Sequence, residues 1–129
     1  DSGMRQVVKR IYFDVHSIRL LNSETRQNLT DKNLVAPEET EGEVVNIGLF
    51  RHYIEAYLRK RDDVSKSATL LVRQLEATQS GVPIELYFFI GTTDWVSYEQ
   101  KTSDILEHIY AYANEFGLKI YEGLPVANT

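Results

Sequence analysis

The sequence predicts an α+β domain: an antiparallel four-stranded sheet with two helices on one face, in the order β-α-β-β-α-β. Three observations carry this. An alternating apolar stretch lies near the start, at residues 7–15. Two strand-like segments, 70–75 and 84–90, flank a turn at Gln79-Ser-Gly-Val-Pro83. A long amphipathic stretch then leads into a short apolar run at 118–121. The order is that of a ferredoxin-like sandwich, and such domains usually bind, regulate or assemble.

Each element follows from local chemistry. In the first strand Val7, Ile11, Phe13 and Val15 share a face with Lys9, while Val8, Arg10, Tyr12 and Asp14 share the other. Residues 16–47 read as irregular. Asn22 or Ser23 can cap a short helix there that ends before Thr30. Glu38 to Glu43 is acidic, broken by Gly42 and preceded by Pro37, and reads as part of an acidic insertion around 30–47.

Helical period returns at 49–61, with Phe50, Ile54 and Tyr57 or Leu58 on one face. Arg59, Lys60 and Arg61 complement the dipole at its end. Thr92-Thr-Asp94 supplies caps for a helix running to Phe116, and Gly117 is placed as its left-handed stop. The buried stripe of that helix is Ile105, Ile109, Tyr112 and Phe116. In the strand over 84–90, Ile84, Leu86, Phe88 and Ile90 are expected to face the helices. Tyr87 and Phe89 then point the other way, beside Leu71, Leu75 and Tyr12. A solvated sheet face normally carries more polar residues than that. Tyr12, Leu71, Tyr87 and Phe89 are therefore the candidate interface residues, against the plainer reading that the 16–47 segment partly covers them.

The 129 residues fit a single domain, long enough to bury roughly two-thirds of its unfolded surface. With no cysteine, neither a disulfide framework nor a thiolate metal site can form. The net charge of −5, with Lys and Arg scattered, argues against nucleic acid, whose binding needs clustered cations against phosphate. No apolar run reaches the ~20 residues of a membrane span. Asp1-Ser-Gly-Met4 shows no signal peptide, and a start without initiator Met leads us to expect a fragment of a longer protein.

No reactive constellation emerges, so the expectation is a non-enzyme without cofactor or metal. Asp104 and His108 sit one helical turn apart, but two ligands are too few for a structural site, and they read as a solvated helix pair. His52 reads as a surface residue. Gly91-Thr-Thr-Asp94 joins a strand to a helix start, yet Asp94 itself occupies the positive end and opposes a phosphate. No phosphate-loop, dinucleotide or nucleophile-elbow motif occurs. The acidic loop lacks the alternation of a calcium site, and the sheet lacks the signature of an RNA-recognition module.

Several separated blocks resemble the cytoplasmic C-terminal region of bacterial mechanosensitive channels of the small-conductance superfamily, in particular the miniconductance type. They are Lys9-Arg-Ile-Tyr-Phe-Asp14, His16-Ser-Ile-Arg-Leu-Leu21 and Asn46-Ile-Gly-Leu-Phe-Arg-His-Tyr-Ile-Glu-Ala-Tyr-Leu-Arg59. Thr69-Leu-Leu-Val-Arg-Gln-Leu75 and Gly81-Val-Pro-Ile-Glu-Leu-Tyr-Phe88 follow, then Trp95, Tyr98-Glu99, Asp104-Ile105 and Phe116-Gly-Leu118. The resemblance covers most of the chain outside the acidic loop.

It implies a vestibule domain on the cytoplasmic side of the bacterial inner membrane, below a tension-gated pore. It also implies self-association as a ring of seven, in which this region supports assembly, solute access and gating during hypo-osmotic shock. The transmembrane helices of such a protein would lie N-terminal to Asp1. The competing expectation is a small-molecule-binding regulatory module of ACT-like βαββαβ plan. A small acyl-phosphate hydrolase would need an Arg and an Asn around a glycine-rich first loop, and His16-Ser-Ile-Arg-Leu20 has no such glycine.

Overall fold

The computed structural model describes residues 3–123. Strand β1 (Arg5–Phe13) pairs antiparallel with β3 (Val82–Ile90), in register from Arg5 opposite Ile90 to Phe13 opposite Val82. Strand β2 (Leu71–Gln74) pairs antiparallel with the other edge of β3, Leu71 opposite Tyr87. The sheet order is β1-β3-β2. The most apolar strand thus takes the centre, where both its edges are paired.

Helices α1 (Ser23–Asp31), α2 (Asn46–Lys60) and α3 (Trp95–Ala113) complete the fold. Phe50, Ile54 and Leu58 of α2 join Ile105 and Ile109 of α3 in one core with Val7, Ile11, Phe13, Ile84, Leu86, Phe88 and Ile90 of the sheet. The Phe50 ring meets Phe13 edge-on at 5.9 Å and Phe116 at 4.8 Å. The faces expected for the hairpin strands are found.

Two expectations need correction. Among the described residues the sheet has three strands, not four. At 118–121 only a single bridge forms, Phe13 opposite Ile120. Two hydrogen bonds flank it, Asp14 N–H to Lys119 O and Tyr121 N–H to Tyr12 O, both 2.8 Å. On the Leu118–Lys119 side the pairing stops because β1 leaves the sheet after Phe13 into a 3-10 turn at Val15–Ser17; on the other side, among the described residues, the chain does not go on along the open outer edge of β1 after Tyr121.

Nor does the helix layer hold only two helices. The segment over 16–47 is ordered rather than irregular. Asn22 caps α1 by accepting from Thr25 N–H at 2.8 Å, as the sequence suggests, although the helix runs on to Asp31. Leu29 is fully buried, and Asn28 Nδ2 donates to Glu115 Oε1 at 2.8 Å, which docks α1 against the end of α3. Pro37–Thr40 adds a 3-10 turn within the acidic stretch.

The start of α2, three residues earlier than the period indicated, has a specific cause. Asn46 is buried and accepts at Oδ1 from Arg19 N–H (3.0 Å), while its Nδ2 donates to Ser17 O (2.9 Å) and Phe116 O (3.1 Å). One amide satisfies three backbone groups that would otherwise be buried unpaired. At the far end of α3, Gly117 adopts φ 76°, the left-handed stop expected of it. Gly81 is more constrained still. Its φ is 97°, and a Cβ there would lie 2.4 Å from Phe13 O.

Candidate interaction surface

Alternation along β3 sends Ile84, Leu86, Phe88 and Ile90 under the helices and Glu85, Tyr87 and Phe89 to the opposite, outer face. Register then builds that face in rows. Val8, Tyr87 and Leu71 form one row across β1, β3 and β2. Gln6 lies opposite Phe89 in the next row, and Tyr12 opposite Pro83 at the far end. Between them runs Arg10–Glu85–Arg73.

The apolar row is left open. Val8 is 45% exposed and Leu71 43%, while Tyr87 and Phe89 are half-buried. Tyr87 and Phe89 rings meet edge-on at 5.8 Å, and Gln6 Nε2 donates to the Tyr87 hydroxyl at 2.7 Å. The 16–47 segment does not cover this surface. Its hydrogen bonds to the rest of the molecule end on α2 and on residues 114–119, within the helix layer and at the β1 end.

The charged row explains how a carboxylate sits in so apolar a strand. Glu85 is only 6% exposed. It accepts from Arg73 Nε at 2.9 Å and from Arg10 Nε at 3.1 Å. A buried charge is tolerated where its partners are both close and well directed. Arg73 first and then Arg10 hold the Glu85 carboxyl below the usual carboxylate range. Both guanidiniums remain about half exposed, so two cations share one buried anion and the row presents a net positive edge to solvent.

The four residues singled out from sequence all lie on this outer face. The register brings Leu71 and Tyr87 together and sets Phe89 against Tyr87, whereas Tyr12 is cut off from them by the charged row. Sequence reading missed the row itself. Its signal was present: Glu85 is the one charged residue in Val82–Ile90, and a central strand asks for cations on both neighbours.

A second cluster lies between α2 and α3. The His108 ring stacks on Tyr57 at 3.8 Å and 4°, and on Tyr112 at 4.3 Å. The Tyr53 hydroxyl lies 2.8 Å from His108 Nε2. This corrects the expected solvated Asp104–His108 pair: Asp104 is exposed, but His108 turns from it into an aromatic groove. Burial, then the nearby Arg61 cation, pushes the His108 pKa down. Burial, with Tyr112 and Tyr57 beside it, pushes the Tyr53 hydroxyl up to about 12. At neutral pH both groups are uncharged, and the groove acts as packing.

Other candidate positions resolve into structural roles. Asp94 caps α3, accepting from Ser97 N–H at 2.9 Å. Asp63 binds Arg61 through both carboxylate oxygens (2.9 and 2.8 Å) and receives Lys101 at 3.3 Å, tying the α2 end to α3. His52 is exposed. Among the described residues no group of three or more His, Asp or Glu converges as a metal site would require, and no helix is long and apolar enough to cross a membrane. No protein-family model matches the chain.

Proposed function

We propose that this chain is a vestibule domain of a tension-gated channel of the small-conductance mechanosensitive superfamily, and that its outer sheet face is a contact between subunits. The observation that carries this is the open row of Val8, Tyr87 and Leu71 with Phe89 beside it. Such a contiguous apolar strip costs solubility unless something covers it. The sequence blocks that resemble the superfamily add the rest: a ring of seven at the bacterial inner membrane, in which this domain holds subunits together on the cytoplasmic side and shapes solute access while tension opens the pore. On this reading the sheet follows the ferredoxin-like plan with its fourth strand shortened to the bridge at Ile120. The role is mechanical, and no residue is assigned to catalysis.

The test is the coding sequence upstream of Asp1, scanned in ~19-residue windows for membrane spans. Several spans followed by a short β-rich stretch are expected. An upstream region without any would overturn the channel.

A regulatory ligand-binding module is the second reading, favoured by one feature. A half-open cavity of about 510 Å3 lies between Asn33–Ala36 and the Tyr53, Tyr57 and Lys60 side of α2. That is within the range of small-molecule sites. A thermal-shift screen against amino acids and nucleotides separates the two: a ligand at a hundred times its Kd adds about 2.7 kcal/mol of stability.

A further inference from the structure

We infer that successive copies of this chain dock head to tail, the outer sheet face of one copy seating on a depression at the N-terminal flank of α2 in the next. The inference rests on the reading of the outer face as a subunit contact and adds what it contacts.

A second uncovered apolar patch exists, in the helix layer rather than on the sheet. Leu20 and Val45 form an antiparallel bridge and are 50% and 41% exposed. Beside them is a depression of about 360 Å3 floored by Val44, Gly48 and Leu49. Gly48 has nothing within 4 Å of where a Cβ would stand, so the floor is open to an incoming side chain. Glu39 and Glu43 line its rim, and the acidic stretch that contains them forms no ion pair among the described residues.

The two patches are complementary. One is an apolar strip bordered by the half-exposed guanidiniums of Arg10 and Arg73; the other is an apolar hollow bordered by the Glu39 and Glu43 carboxylates, of which Glu39 accepts from Ala36 N–H at 3.0 Å and neither meets a cation among the described residues. They lie on different layers of the fold, so neither can cover the other within one molecule. A second copy supplies both halves. Stacking two outer faces against each other would instead bring Arg10 and Arg73 against their own counterparts, and like charges at a contact select against it. A contact between two different patches of one chain is heterologous, and a heterologous contact propagates from copy to copy, closing a ring where the rotation between copies allows.

The chain has no cysteine, which makes a thiol test clean. Leu71→Cys and Val45→Cys, both at exposed positions, are introduced into the intact protein as encoded, with any thiol outside these 129 residues replaced by serine. A short bismaleimide is then applied. The double variant is expected to give a ladder of covalent oligomers, co-expressed single variants a mixed dimer, and each single variant alone only monomer. A Leu71→Cys homodimer would overturn the inference in favour of stacked outer faces. Absence of any ladder from the double variant would overturn it outright. The outcome is separable from the channel reading: upstream membrane spans without a ladder leave the channel standing and remove this contact, whereas a ladder without spans keeps the contact and removes the channel.

Discussion

The two faces of one sheet have been finished differently. Under the helices, Val7, Ile11, Phe13, Val72, Ile84, Leu86, Phe88 and Ile90 are all at most 3% exposed. On the other side, residues one position away on the same strands include Val8 and Leu71, more than two-fifths exposed, and two half-buried aromatics. The side chains are similar in chemistry, so the difference lies in what covers them. The covered face is shaped by folding. The outer face carries more apolar surface than folding uses, together with a charged row that fixes register without closing the surface. An aromatic strip kept in water at that cost points to a use outside the monomer.

The contrast can be broken by substitution, the largest effect first. Phe88→Ala, on the covered face, is expected to cost about 3–5 kcal/mol in urea unfolding, the range for an aromatic lost from a packed core. Gly81→Ala tests the registration that separates the two faces. With a left-handed φ and a backbone oxygen where the Cβ would go, it should cost about 1–3 kcal/mol. Tyr87→Ser with Phe89→Ser, on the outer face, removes an edge-on aromatic pair and should cost about 1–2 kcal/mol while leaving the circular dichroism spectrum unchanged. A loss matching that of Phe88→Ala would show that the outer face is core after all. Leu71→Ser should stay within about 0.5 kcal/mol, as exposed positions do.

Acid titration sharpens the same contrast, since each layer has its own sensitive group. The Glu85 carboxyl titrates below its ordinary value in the folded state, so the outer face contributes stability fully above about pH 4.5 and loses it as pH falls through the lowered folded value. His108 titrates below about 6.5, so the unfolded chain binds the proton more readily and stability falls as pH drops below that point. His108→Gln should therefore flatten the melting temperature between about pH 6.5 and the lowered His108 pKa, while leaving the carboxylate limb intact. An unchanged profile would show that His108 is not held neutral by its groove.

Alternation and turn chemistry made much of this legible in advance. The β1, β2 and β3 faces, the Asn22 and Asp94 caps and the Gly117 stop all follow from local preference, which acts within a few residues. What escaped depends on distant partners. The early start of α2 is set by Asn46 reaching Ser17 and Phe116. The fourth strand shrinks to one bridge because the chain meets β1 only at its Phe13 end, where β1 turns away, and a run such as Leu118-Lys-Ile-Tyr121 carries no information about where on an edge it would land. His108 looked solvated because its stacking partners Tyr57 and Tyr53 lie on another helix. The outer-face residues were identifiable from parity alone, but the row that isolates Tyr12 from Leu71, Tyr87 and Phe89 required the register of three strands.

The most direct measurement of the central claim is the native mass of the intact protein by sedimentation, taken beside its Tyr87→Ser/Phe89→Ser variant. The account predicts a multi-subunit mass for the parent and a smaller mass for the variant, with the same circular dichroism spectrum. A variant that keeps the parent's mass, or a parent that sediments as a monomer, would contradict it.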